Sequence, residues 1–148
     1  MGTAIKASDA AGGAWHEHPV RVRYAETDQM GVVHHSNYLL YMEEGRTALM
    51  NELGVSYAEL EATGYGLPVR RAELRYRAPA VFDQELLVCT RPGRVRGASV
   101  SFEYEIRDRE SGRLLAEGST ELACIRLSSP EREPCLLPPE IRSRFGGA

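Results

Sequence analysis

The chain has 148 residues, 43% of them hydrophobic and 26% charged, a length and balance that suit one globular domain with one substantial core. Its formal net charge of -3 argues against a general nucleic-acid binder, and no apolar run reaches the length of a membrane span. Cys89, Cys124 and Cys135 are odd in number and lack metal-ligand spacing, which predicts reduced thiols in a soluble, cytoplasmic protein rather than a disulfide framework.

Residues 1–15 read as a flexible leader, small and polar without an apolar core of signal-peptide length, which leaves 16–148 as the single domain. The alternation Val20-Arg21-Val22-Arg23-Tyr24 predicts a half-buried strand. Over residues 37–53 the period changes: Tyr38, Met42, Gly45, Leu49 and Leu53 share one helical stripe, with Ser36 as the expected N-cap and Gly54 as the stop. Gly45 inside that helix costs about 1 kcal/mol relative to alanine, so its expected use is close approach to a sheet. Ser56-Tyr57-Ala58-Glu59 predicts a short second helix over 57–63.

Four more strands are expected. In the first, Ala72, Leu74 and Tyr76 form a packed face opposite Arg71, Glu73, Arg75 and Arg77. The second covers 86–91 and the third 98–106, while the last runs over 113–127 after a hairpin at Asp108-Arg109-Glu110-Ser111-Gly112. A proline-rich tail follows Ser129, with one turn of helix near Glu140. Such an order is α+β, a single antiparallel five-stranded sheet curled around the long apolar helix.

Between the first strand and the long helix lies Tyr24-Ala25-Glu26-Thr27-Asp28-Gln29-Met30-Gly31-Val32-Val33-His34-His35-Ser36-Asn37-Tyr38. It brings a carboxylate, a glycine turn and two imidazoles to a helix start, where backbone N–H groups lack partners and the macrodipole adds positive charge. Acyl transfer needs such a place for a developing oxyanion, and a nucleophile or base beside it. Asp28 fits the second part, and Gly31 suits the sharp turn between them.

The pattern Thr27-Asp28, Gly31-Val32-Val33, His35, Tyr38, Glu43 and Arg46-Thr47 resembles the hot dog fold acyl-CoA thioesterases, of the 4-hydroxybenzoyl-CoA thioesterase type and its short-chain relatives. The likeness extends to Gly66-Leu67-Pro68-Val69 and 74–80, and covers roughly residues 20–127. It implies hydrolysis of acyl-CoA to free acid and CoA without a cofactor or metal. Asp28 then acts as nucleophile or as general base, and the helix amides near His35 form the oxyanion site. His35 is the second catalytic residue, its ring able to orient Asp28, bind the carbonyl or protonate the thiolate. Substrate contacts are implied at Tyr24, Gly31, Val33, His34, Asn37 and Tyr38. His34 departs from the aromatic residue common at its place. The resemblance also implies a homodimer joined edge to edge, or a homotetramer, with active sites at the subunit boundary.

Other readings weigh against this one. Asp28 can simply cap a turn. Glu43 is expected to pair with Arg46 or Thr47 along the helix. Tyr41, Met42, Tyr65 and Leu67 are candidates for an acyl pocket. Lys6 is the lone lysine among 18 basic residues. The clusters Arg70-Arg71-Arg75-Arg77 and Arg91-Arg94-Arg96 therefore reflect composition as readily as a clamp for coenzyme A phosphates. His16-Glu17-His18 with His34-His35 suggests a metal-binding protein, although neither pair has the spacing of a helical zinc site. A hydroxyacyl thioester dehydratase and an acyl-thioester binding protein remain as alternatives, as does an acyl-carrier-protein thioester in place of acyl-CoA.

Overall fold

Apolar residues at every second position of β4 (Glu85–Val95), β5 (Ser99–Asp108) and β6 (Leu114–Ala123) bury Leu86, Val88, Val100, Phe102, Tyr104, Ile106, Ala116 and Leu122. In the computed structural model, which describes residues 14–147, these strands form the middle of a five-stranded antiparallel sheet. Its edges are β1 (His16–Arg21), paired with β4, and β3 (Val69–Tyr76), paired with β6. The long helix α1 (Asn37–Glu52) lies chiefly over β4 and β1, with Tyr38, Tyr41, Met42, Leu49 and Met50 buried. A Cβ at Gly45 would stand 2.5 Å from Val88 Cγ1 and 2.8 Å from Thr90 Oγ1, so the glycine permits the expected close approach.

The other elements follow local signals. The short helix α2 (Tyr57–Ala62) opens with Ser56 Oγ accepting the Glu59 N–H at 3.3 Å, as the spacing predicts. A second, two-stranded sheet joins β2 (Tyr65–Gly66) to β7 (Ile125–Arg126), and α3 (Pro139–Arg144) closes the chain near Glu140. Leu137 and Phe145 from this last segment enter the core, where Phe145 meets Phe102 edge to face at 5.6 Å.

Four expectations need correcting. The first strand ends at Arg21 rather than near Tyr24, because the Glu26 carboxylate accepts both the Arg23 N–H and Nε, at 2.9 and 3.0 Å, and draws Tyr24–Glu26 into a 3-10 turn. The last strand is not continuous over 113–127: Cys124 N–H donates to Ala98, and the next two residues leave for the small sheet. The apolar face predicted for β3 is not covered; Ala72 and Tyr76 are exposed and Leu74 is half-buried, since α1 packs on the other side of the sheet's centre. Glu43 is exposed and bonds neither Arg46 nor Thr47.

Arg46 points inward instead, only 5% exposed, donating through Nε to Tyr57 OH at 2.9 Å and through Nη1 to Tyr104 OH at 3.1 Å. Burial works against its charge, but the two phenol oxygens outweigh that and raise its pKa. Of the expected leader, residues 1–13 lie outside the described residues. Its last member, Trp15, is 3% exposed beneath the Arg91 guanidinium at 4.0 Å.

Candidate active site

Two tight turns carry the chain from the sheet to α1. After the 3-10 turn, Asp28 N–H donates to Val32 O at 2.9 Å and Gly31 N–H to Asp28 O at 3.0 Å, a small hairpin in which Thr27 bridges Val33. Gly31, at φ +82°, supplies the left-handed residue that a three-residue hairpin loop requires. Asp28 Oδ1 accepts the Met30 N–H at 2.8 Å, so one carboxylate oxygen does cap the turn, as aspartate often does. Oδ2 has no partner among the described residues.

The start of α1 differs from expectation. Ser36 is already helical at φ -66° and ψ -24°, and its hydroxyl caps nothing; it lies 2.8 Å from His34 Nδ1, which also accepts the Ser36 N–H at 3.2 Å. His34 N–H goes to Glu26 O, Asn37 N–H to His34 O and Tyr38 N–H to His35 O. The His35 N–H is left without an acceptor among the described residues, at the positive end of a sixteen-residue helix.

Beside that amide is a cleft of about 300 Å³ lined by Val33, His35, Tyr38, Tyr76, Arg77, Ala78 and Pro79. Tyr76 donates to His35 O at 3.1 Å and packs edge to face on Tyr38, with centroids 5.1 Å apart. Tyr38 OH accepts the Ala80 N–H at 3.2 Å; burial raises the phenol's pKa although that bond pulls the other way. The cleft thus gathers Val33, His35 and Tyr38 from the expected set. Tyr24, Asp28, Gly31, His34 and Asn37 do not line it. Tyr24 is 76% exposed and rests against Phe82, the His34 ring stacks on His35 at 4.2 Å, and Asn37 Nδ2 donates to Glu26 O at 2.9 Å.

Sequence reasoning passed over Tyr76 and Glu26. A tyrosine on a strand next to arginines carried no signal for a bond to a carbonyl 41 residues away, whereas Glu26 sits three residues after Arg23, the spacing of a turn-closing carboxylate. Tyr41 and Met42 are buried in the core, and neither they nor Tyr65 and Leu67 line the cleft. The arginine clusters are largely bonded to carboxylates: Arg70 to Glu121, Arg71 to Glu73, Arg77 to Glu117 and Arg91 to Glu103. His16 and His18 bond Glu52 and Glu44 of α1, apart from His34 and His35, and no cluster of three potential metal ligands occurs among the described residues.

Known proteins resemble this chain in sequence and fold. The profile of the Thioesterase-like superfamily matches residues 22–145. YneP of Bacillus subtilis is 37% identical over 106 residues, 72% of this chain and 76% of its own. The acyl-CoA thioester hydrolase YbgC of Escherichia coli O6:H1 is 33% identical over 127 residues, 86% of this chain and 92% of its own. Among solved structures, the DHNA-CoA thioesterase of Staphylococcus aureus superposes with a TM-score of 0.83 at 31% identity, over 89% of each chain. With a family pattern that takes in the turns, the helix and four of the five strands of the main sheet, the chain belongs to the Thioesterase-like superfamily, and its fold is the hot dog.

Proposed function

We infer that the protein hydrolyses acyl-CoA thioesters to the free acid and CoA. The observation that carries the reading is the unpaired His35 N–H, which opens α1 beside the cleft, with the Asp28 hairpin immediately before it. The thioester oxygen accepts that N–H, and the negative charge that grows on it is met by the amide and the helix dipole. Asp28 attacks the carbonyl to give a mixed anhydride that water then cleaves, or takes a proton from an attacking water; either route expels the thiolate. The His35 ring stands next to the leaving sulfur as a proton donor. Val33, Tyr38 and Tyr76 receive the acyl group, while Tyr24, Gly31, His34 and Asn37 shape the approach to it.

The protein acts in the cytoplasm as a homodimer or homotetramer, a reading supported by three free cysteines and by the uncovered edge strand that ends at the cleft. A dehydratase would present a histidine early within the helix, whereas both imidazoles here precede Asn37.

Thiol release from short, long and aromatic acyl-CoA esters and from an acyl-carrier-protein thioester tests the proposal, with wild type, Asp28→Asn and a chelator-treated sample. Turnover of CoA esters should survive chelation and fall by about 10²-fold or more in Asp28→Asn. Equal rates in the variant would remove Asp28 from the chemistry. Turnover of the carrier-protein ester alone would move the substrate to that class.

A further inference from the structure

Glu26 is a carboxylate that the hydrolysis does not use, yet it is the most heavily bonded residue around the site. Its side chain is 13% exposed. One carboxylate oxygen accepts the Tyr41 hydroxyl at 2.7 Å and the Arg23 N–H at 2.9 Å; the other accepts Arg23 Nε at 3.0 Å. Its carbonyl accepts the His34 N–H at 2.8 Å and Asn37 Nδ2 at 2.9 Å. The side chain therefore grips α1 at Tyr41, while the main chain grips the same helix one turn earlier and the residue just before His35.

We propose that Glu26 is a positioning residue: through Tyr41, Asn37 and His34 it fixes the Asp28 hairpin relative to the free His35 amide. This rests on the reading of Asp28 and His35 given above. Only Thr27 separates Glu26 from Asp28, and its bonded partner His34 immediately precedes the residue whose amide receives the oxyanion. The carboxylate holds the turn that leads into the Asp28 hairpin against Tyr41 of α1, and the carbonyl of the same residue holds His34 and Asn37 at the start of that helix, so one residue ties the two parts of the site together. A small misplacement there costs far more in rate than in binding, because only the transition state needs both groups at once.

Ionisation provides a signature. Burial pushes the Glu26 pKa up, but the bonds from Arg23 N–H, Tyr41 and the Arg23 guanidinium outweigh it and hold the carboxyl below the usual glutamate value. A depressed carboxyl keeps its bonds above its unfolded pKa and loses them as pH falls through the folded value. Removing the Tyr41 hydroxyl takes away one stabilising bond, so the pH at which the anchor fails must rise.

The groups facing this carboxylate are Arg23 from its own turn and Tyr41 from α1, with Tyr38 beside Tyr41 at 6.0 Å.

The experiment is steady-state kinetics against pH on the best acyl-CoA ester for wild type, Tyr41→Phe, Glu26→Gln, the double variant and Asp28→Asn, each with a thermal melt. Tyr41→Phe keeps the buried ring and guards against loss of folding. Expected are a fall in kcat of about tenfold or more in each single variant with KM within about twofold, an acid limb of kcat moved to higher pH in Tyr41→Phe, and a double variant no worse than Glu26→Gln. Wild-type kcat and an unmoved limb in Tyr41→Phe and Glu26→Gln, while Asp28→Asn is inactive, would overturn the proposal and leave the hydrolase reading standing. A fall in activity that merely tracks the melting temperature, with additive losses, would overturn it as well. Full turnover in Asp28→Asn would sink both, since nothing would remain to be positioned.

Discussion

A methyl group added at position 31 would meet no atom within 4 Å, so the φ of +82° is what reserves the place for glycine. The space around it is open, and the cost of any other residue lies in the backbone. Gly31→Ala should lower stability by about 1–2 kcal/mol and disturb turnover by shifting the Asp28 turn. Gly31→Asn should lose less, because asparagine tolerates the left-handed region. Urea midpoints measure both; an alanine variant as stable as wild type would mean that the hairpin does not hold this φ in solution. A second residue prediction concerns the buried guanidinium. Tyr104 OH accepts from Arg46 and lies 2.6 Å from Thr120 Oγ1, so Tyr104→Phe strips both partners while leaving the ring packed. A loss of about 1–3 kcal/mol is expected, read as a lower urea midpoint at unchanged slope. At this scale the sequence revealed features that local order carries. The turn at Asp28 and Gly31 and the helix start just after His35 were legible because each is written in adjacent residues. Arg46, expected to pair along the helix surface, turns inward to tyrosines from α2 and β5, which no spacing along α1 discloses.

Among the elements, α1 matched its sequence signal along its length and stops before Gly54 as expected, whereas the capping role of Ser36 and the end of the first strand did not match. The stripe through Tyr38, Met42 and Leu49 has one periodicity throughout, and α1 follows it from Asn37 to Glu52. Ser36 looked like an N-cap by type, but the imidazole of His34 takes its N–H and its hydroxyl, a competition between neighbouring side chains that a preference for serine does not encode. The first strand was drawn too long for a comparable reason: alternation continues to Tyr24, yet Glu26 bonds back to Arg23 and bends the chain. The contact of α1 with the sheet gives a prediction whose sign is informative. Alanine is favoured over glycine by about 1 kcal/mol within a helix, so an exposed Gly45→Ala would stabilise. Here the new Cβ would lie 2.5 Å from Val88 Cγ1, a stiff β-branched side chain of the core, and overpacking costs about 1–3 kcal/mol. Net destabilisation is therefore expected, recovered in part by Val88→Ala. Unfolding curves showing Gly45→Ala more stable than wild type would place α1 farther from β4.

For the molecule as a whole, β3 is the element whose surroundings within one chain are incomplete. Its alternation predicted a packed face, but α1 covers the β4 and β1 side of the sheet and leaves Val69, Ala72 and Tyr76 exposed. Sequence pattern marks which residues want cover and is silent on whether the same chain supplies it. An uncovered edge strand also offers a row of unpaired backbone groups, a template for another strand. The cleft lies at the end of this edge, where Tyr76 meets the His35 carbonyl. Pairing of two β3 edges would extend the sheet across both protomers and bring each cleft to the boundary, which accords with the proposed dimer. Sedimentation of the wild type at micromolar concentration should then give at least twice the 16.4 kDa mass of one chain. Ala72 stands near the middle of β3, where an antiparallel self-pairing brings a residue close to its own copy. Ala72→Lys places like charges there and should weaken association about tenfold, on the order of 1.4 kcal/mol. Specific activity should become concentration-dependent in that variant over the range in which the dimer dissociates. A wild type that sediments as a single chain while turning over at full rate would show that β3 stays unpaired and that each cleft works alone.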